Sequence, residues 1–294
     1  MAKIYDALRR AEAERKRGAE PEAHSMPAAS VGPLAWEPES AVPPPPMPPA
    51  LVDEKPSLLA RVASFFRRNP LEETAGDLNK RRISLIQPDS YVAEQFRALR
   101  GRIDAIAEQR PMRTVAVTSA TPGEGKTTSA INLALVTSLS VGRRVLLIDC
   151  DLRRPKIHRS LGIRPEAGLA EVLTDAASLD DAIVKVEGVN LELLTVRGRP
   201  SNPSELLGSA RMREIVAELG ERYDRVILDT PAALGLPDAK TVADLCDGCV
   251  LVVRADVTPQ EDIHTMLEIL DRRRVLGVVL NGTAAVQGRY GYVS

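Results

Sequence analysis

Between Ser90 and Gln109 the apolar residues Val92, Phe96, Leu99, Ile103 and Ile106 recur at alternating spacings of four and three, which predicts one buried face of a helix. After Pro111 the pattern changes to short, continuously apolar runs separated by helical periodicity. It predicts strands over 113–119, 144–149, 190–196, 224–229, 248–254 and 275–281. Helices are expected over 126–139, 203–219, 237–245 and 258–271, with short helical pieces around 168–184. Strands that are apolar on both faces and separated by helices need cover on both sides. The fold class is therefore α/β, a mainly parallel sheet sandwiched by helices. No internal repeat at solenoid periods is present.

The first 80 residues read differently. Residues 2–17 put Ile4, Leu8 and Ala11 on one face of a short amphipathic helix. Residues 57–68 set Leu58, Leu59, Val62, Phe65 and Phe66 against Arg61, Arg67 and Arg68, a pattern suited to an anionic membrane surface or to docking on protein. Between them lie 11 of the 22 prolines, with Trp36 as the single aromatic residue. Such a stretch buries too little apolar surface to offset its ordering entropy, so disorder or polyproline II is expected. The resulting organisation is an N-terminal amphipathic helix (1–20), a proline-rich linker (21–56), a second short amphipathic helix and linker (57–80), a catalytic-sized domain (81–285) and a tail (286–294).

Thirty-nine basic residues against 40 acidic ones leave a net charge of −1, so no global field recruits nucleic acid. Three cysteines do not build a disulfide framework, and the charged start Met1 to Lys16 is no signal peptide. Val145–Ile148 and Cys249–Val253 are strand-sized, far short of the ~18 apolar residues that span a bilayer. The expected compartment is the cytoplasm.

The strongest chemical signal is Ala120-Thr121-Pro122-Gly123-Glu124-Gly125-Lys126-Thr127-Thr128, directly after a strand and opening a helix. That context is what a phosphate-binding P-loop requires. Gly123 and Gly125 let backbone amides close around a phosphate at a helix N-terminus, Lys126 reaches the β- and γ-phosphate oxygens, and the Thr127 hydroxyl suits Mg²⁺. Ala120 stands where the first glycine usually is. Asp149 and Asp151 end the run RVLLIDCD, and Asp229 ends RVILD. Ligands in open α/β sheets bind beyond the carboxyl ends of the strands, so the three acids and the P-loop are expected on one rim.

These motifs resemble the bacterial tyrosine autokinases, or BY-kinases, a branch of the P-loop ATPases that also includes the partition and septum-positioning ATPases. VLLIDCDLRRP resembles the family's second, A′-type Walker motif. PDSYVAEQFRALRGRI resembles its helix before the P-loop, with the E-x-x-R-x-x-R oligomerisation motif falling on Glu94, Arg97 and Arg100. NPSELLGS (202–209) and LPDAKTVADLCDGCVLVVRADVT (236–258) also resemble the family, and the first 18 residues are similar to a subgroup linked to exosortase-associated exopolysaccharide loci. Partition ATPases carry an extra lysine where this chain has Thr121, which favours the kinase branch.

The resemblance implies an ATP- and Mg²⁺-dependent protein-tyrosine autokinase that regulates exopolysaccharide polymerisation or export. Under it, residues 121–128 hold the nucleotide, and Thr127, Asp149 and Asp229 serve the metal. Asp149 and Asp151 divide metal contact and activation of the tyrosine hydroxyl, with either as base. Arg153 occupies a basic position after the acids, and Asn281 an adenine-contact position. The phosphoacceptors would be Tyr290 and Tyr292 in the tail, and the partners a ring-like homo-oligomer, a membrane-embedded chain-length-determining or activator protein and a tyrosine phosphatase. Recruitment to the inner face of the membrane would run through the first 80 residues. The rival readings are a partition-type ATPase, for which water is the acceptor, and an ATP-binding assembly scaffold. Cys246 and Cys249 are expected as buried small residues rather than metal ligands, and the run Arg272–Arg274 as a solvated helix end.

Overall fold

The computed structural model describes residues 90–186 and 189–283. The expected elements over 1–80 and the tail 286–294 lie outside them. Ser90 starts the first helix, its Oγ accepting the Ala93 N–H at 3.2 Å, and α1 runs Tyr91–Ala107. There follow β1 (Thr114–Ser119), α2 (Lys126–Ser138), β2 (Val145–Asp149) and three short helices, α3 (Ile157–Leu161), α4 (Leu169–Leu173) and α5 (Leu179–Ala182). The chain continues through β3 (Ile183–Lys185), β4 (Leu191–Leu194), α6 (Pro203–Leu207), α7 (Ala210–Arg222), β5 (Arg225–Asp229) and α8 (Asp238–Asp244). It ends with β6 (Gly248–Arg254), α9 (Gln260–Ile269), a 3₁₀ turn (Arg272–Arg274) and β7 (Val275–Asn281).

The strands form one sheet in the order β3-β4-β2-β5-β1-β6-β7, parallel except for the β3–β4 pair. β1, β2 and β5 are buried along their whole length, their apolar centres carrying the flanking polar residues Thr118, Ser119, Arg225 and Asp229 into the interior with them. On one face Val115, Val117, Leu147, Ile227 and Val252 meet Phe96 and Ile103 of α1 and Ile131 and Leu135 of α2. On the other, Ala116, Leu146, Ile148, Leu228 and Leu251 meet Met212, Ile215 and Leu219 of α7, Val242 of α8 and Met266 of α9. Successive strand residues thus feed alternate layers.

Three details depart from the sequence reading. The helix expected over 203–219 is two helices, because Ser209 interrupts it and caps α7, its Oγ accepting the Met212 N–H at 3.1 Å. The short strand β3 and the helix α3 were not anticipated. The basic run Arg272–Arg274 forms a 3₁₀ turn, with the Arg274 guanidinium donating to the Cys246 carbonyl rather than standing wholly in solvent. All three cysteines are buried free thiols.

Charge fixes α1 to the amino-terminal end of the sheet. Asp104 pairs with Arg225 at 3.0 Å and with Arg143 at 2.6 Å, and Arg100 donates to the Val136 carbonyl near the end of α2 at 2.7 Å. No described helix is long and apolar enough to cross a membrane.

Candidate active site

Parallel register brings the chemistry together. Asp149 at the end of β2 stands beside Asp229 at the end of β5, and Asp229 pairs in turn with Val117 of β1, whose strand feeds the loop 120–125. That loop needs two left-handed glycines, Gly123 (φ 93°) and Gly125 (φ 100°). A side chain on Gly125 would also run into the Asn281 amide nitrogen.

The loop is braced from three directions. Glu124 is buried, with one carboxylate oxygen accepting the Thr121 N–H at 3.0 Å and the other accepting the Thr258 hydroxyl. Thr258 in turn accepts the Arg254 N–H at 2.9 Å, which ties the loop to the end of β6. Asn281, expected at an adenine-contact position, lies at the end of β7 and donates its amide to the Glu124 carbonyl at 2.8 Å. The Glu124 side-chain contacts were not read from the sequence. The only signal was its place between two glycines, where a buried anion has no obvious use.

Lys126 opens α2 and is only 8% exposed. Its Nζ donates to Asp151 at 3.1 Å. Burial works against its charge, but the fields of Asp229, Asp151 and Asp149 outweigh burial and hold its pKa above the ordinary value.

The three acids are not equivalent. Asp149 is fully buried and accepts three backbone N–H groups, from Asp151 at 3.1 Å and from Lys156 and Ile157 at 3.0 Å each. It therefore holds the turn that follows β2 and starts α3. Asp151, the least buried of the three, accepts from Lys126 and from the Arg154 N–H at 3.0 Å. Asp229 is fully buried, and neither of its oxygens meets a partner in hydrogen-bonding geometry. Burial is the first cause holding the carboxyls of Asp149 and Asp229 above the usual range; Asp229 adds to the rise of Asp149, while Lys126 restrains that of Asp229. A buried carboxylate such as Asp229, with neither oxygen in a well-formed hydrogen bond, normally has a use.

Arg153 turns away from this cluster. Its guanidinium donates to Asp238 at 2.8 Å and to the Ser204 hydroxyl at 2.8 Å, and Asp238 is buried. Ser204 and Asp238, at the starts of α6 and α8, thereby clamp the segment after β2. The sequence reading marked both stretches as family-like without seeing that Arg153 joins them. Glu94 and Arg97 pair with each other on α1, while Arg100 is engaged within its own chain. Tyr290 and Tyr292 lie outside the described residues.

A strand, a glycine loop with a buried lysine at a helix start, and carboxylates on two neighbouring strand ends define a P-loop nucleotide-binding protein. Residues 112–274 match the AAA domain family. Tyrosine-protein kinase YwqD of Bacillus subtilis is 38% identical over 213 residues, covering 71% of this chain and 90% of YwqD. Succinoglycan biosynthesis transport protein ExoP of Rhizobium meliloti is 34% identical, covering 69% of this chain and 26% of ExoP. The kinase domain of the Escherichia coli tyrosine kinase ETK superposes with a TM-score of 0.65 at 31% identity, covering 71% of this chain and 84% of that domain. The chain belongs to the bacterial tyrosine kinase family of P-loop proteins, and its chemistry is phosphoryl transfer to tyrosine. The partition-ATPase and scaffold readings give way to that kinship.

The Glu124 brace yields a first expected result. In Glu124→Ala the part-buried Thr121 N–H loses its acceptor and Thr258 its partner, so KM for ATP should rise about tenfold, with a smaller change in kcat. Glu124→Gln, which still offers one acceptor oxygen, should fall between. Steady-state kinetics over a range of ATP concentrations measures this, and equal KM values in all three proteins would remove Glu124 from loop positioning.

Proposed function

We propose that this kinase transfers the γ-phosphoryl group of Mg-ATP to Tyr290 and Tyr292 of its own tail, and that this transfer regulates exopolysaccharide polymerisation or export. The observation that carries the reading is the rim itself, where Lys126 stands among three carboxylates and the fully buried Asp229 carboxylate lies beside the Thr127 hydroxyl with neither oxygen closed off by a well-formed hydrogen bond. The donors fit magnesium: Thr127 and Asp229, with Asp149 beside them, offer hard oxygens. Among the described residues no group of three or more acidic, histidine or cysteine side chains forms a closed metal cage. That suits an ion which keeps waters and phosphate oxygens among its ligands. When bound, magnesium supplies charge neutralisation on the β- and γ-phosphates.

The chain's own residues divide the remaining work. Amides of 121–125 and the start of α2 orient the phosphates. An arriving triphosphate competes with Asp151 for Lys126, and the Asp151 carboxylate released from that ion pair stands at the edge of the site to take the tyrosine proton. The tyrosine oxygen then bonds to the γ-phosphorus as the bond to the β,γ-bridging oxygen breaks, and ADP leaves with that electron pair. Asp149 keeps the turn in place through its three backbone contacts, and Arg153 keeps it against α6 and α8. The decisive experiment is incubation of the full chain with Mg-ATP and mass spectrometry of the tail. Phosphotyrosine there supports the reading; phosphate release without it identifies water as the acceptor and overturns it.

A homo-oligomer would let one copy's tail enter a neighbour's site. Glu94 is the outward member of the expected interface with Arg97 paired to it, whereas Arg100 serves its own α2. Arg97→Glu alone is therefore the informative change. It should lower the mass measured by light scattering and slow tail phosphorylation several-fold, and an unchanged mass would place the interface elsewhere. Kinship to a polysaccharide transport protein supports recruitment from the cytoplasm to the inner face of the membrane by a membrane-embedded activator. Reversal by a tyrosine phosphatase completes the regulatory cycle.

A further inference from the structure

Among the described residues β7 is an edge strand of the sheet, and a groove of about 420 Å³ is lined by its Val278, Val279 and Leu280 and by Tyr91, Phe96 and Leu99 of α1, among others. Val278 is 36% and Leu280 40% exposed. A seven-residue apolar edge strand left uncovered is a template for unwanted pairing, so a cover is needed. We propose that residues 81–87 of this same chain (Arg-Arg-Ile-Ser-Leu-Ile-Gln) add to β7 as an eighth, parallel strand and fill the groove.

Three observations select this occupant. Ser90 caps α1, and Tyr91 lines the groove together with Gly282, so a segment ending at residue 89 is tethered within reach of the groove. Next, handedness fixes the side. α2 carries the chain from β1 to β2, leftward in the strand order given above, and its side chains share one layer with those of α1. α1 leads into β1 on that same face. Its crossover is right-handed only if the strand before it lies to the right of β1, and the free position there is beyond β7. Last, the pattern fits a two-sided edge: Ile83 and Leu85 share one face, Ile86 takes the other, and Pro88 ends the ladder just before the helix cap. The segment after Thr283, AAVQGRYGYVS, is also tethered within reach of the groove but has two glycines and no apolar alternation, so it makes a poorer strand.

The pairing has a consequence for catalysis and recruitment. It stiffens the strand whose last residue, Asn281, holds the Glu124 carbonyl of the phosphate loop. It also makes the chain before Arg81 enter at the end of the sheet opposite the phosphate rim, while the tail leaves at the rim.

A photo-crosslinking phenylalanine derivative placed at Val278 of the full chain tests this. The expected product is an intramolecular crosslink to the peptide containing 81–87. A crosslink to the tail, one between two copies, or none would each overturn the proposal. Hydrogen exchange supplies a second reading in the full chain. Ile83→Asp with Leu85→Asp should speed exchange of the β7 amides about tenfold or more while β1 and β5 stay protected. Unchanged β7 protection would equally rule the strand out.

Discussion

Lys126→Met is expected to lower autophosphorylation by at least about a thousandfold, because it removes a side-chain cation that bonds directly into the carboxylate cluster at the phosphate loop. The same change should destabilise the nucleotide-free protein. Lys126 and Asp151 are an ion pair with side chains only 9% and 10% exposed, and removing one partner of such a pair costs about 3 kcal/mol. The deficit should depend on pH. Asp149 and Asp229 already have carboxyls raised above their unfolded values, and without Lys126 the carboxyl of Asp229 rises further. A carboxyl with a raised folded-state pKa makes the folded state bind more protons, so stability is retained at low pH and lost as pH rises through that pKa. The variant should fall further behind the wild type at about pH 8 than at about pH 6. Thermal unfolding at the two pH values measures the stability difference, and labelled ATP measures transfer. A variant that kept both stability and transfer would remove Lys126 from the centre of the site.

Much of this site was legible before any coordinates. A glycine loop between a strand and a helix has few other uses, and acids at the carboxyl ends of apolar strands must gather on one rim of a parallel sheet. What could not be read was the division of labour among them. Asp149 and Asp151 are two residues apart and chemically identical, yet one accepts three backbone amides while the other faces Lys126. That difference is made by the turn into α3, whose first residues supply two of the amides, and α3 itself carries too short an apolar pattern to be noticed. The roles of Glu124, Ser204 and Asp238 were hidden for a related reason. Each meets its partner across a long sequence separation, 134 residues for Glu124 and Thr258 and 85 for Arg153 and Asp238, and periodicity contains no such information.

The fold was clearest where burial was two-sided. β1, β2 and β5 appear within a residue or so of their expected limits because each has a continuously apolar centre, Val115–Val117, Val145–Ile148 and Val226–Leu228. The helix expected over 203–219 failed at Gly208-Ser209, where a serine prefers to cap a new helix rather than continue an old one. β3 escaped because three residues with intermediate or exposed side chains leave no alternation to detect. Arg100 shows the limit of motif reading most directly. Its spacing from Glu94 and Arg97 marks all three as one outward face, yet its long side chain reaches back to a carbonyl of α2.

Replacing both Tyr290 and Tyr292 with Phe is expected to reduce phosphotyrosine about tenfold or more while leaving ATP binding unchanged, since the substitution keeps the rings and removes only the acceptor oxygens. The argument rests on which hydroxyls can enter a site. Tyr223 is buried, with its hydroxyl donated to the Glu192 carboxylate, so it offers no free nucleophile. Tyr91 is 52% exposed but belongs to the first turn of α1, and a regular helix holds its side chain at a fixed place. Gly288 and Gly291 flank the tail tyrosines in the sequence, residues that restrict the backbone least, and in the proposed homo-oligomer tethering would raise the effective concentration of the acceptor to about the millimolar range. The single variants divide the signal. If one tyrosine is the main acceptor, its Phe variant alone should reproduce most of the loss, and mass spectrometry of the wild type should place the phosphate on that residue. Full phosphorylation of the double variant, with the phosphate on Tyr91, would transfer the acceptor role to α1 and bring the oligomer interface and the target of the kinase onto the same helix.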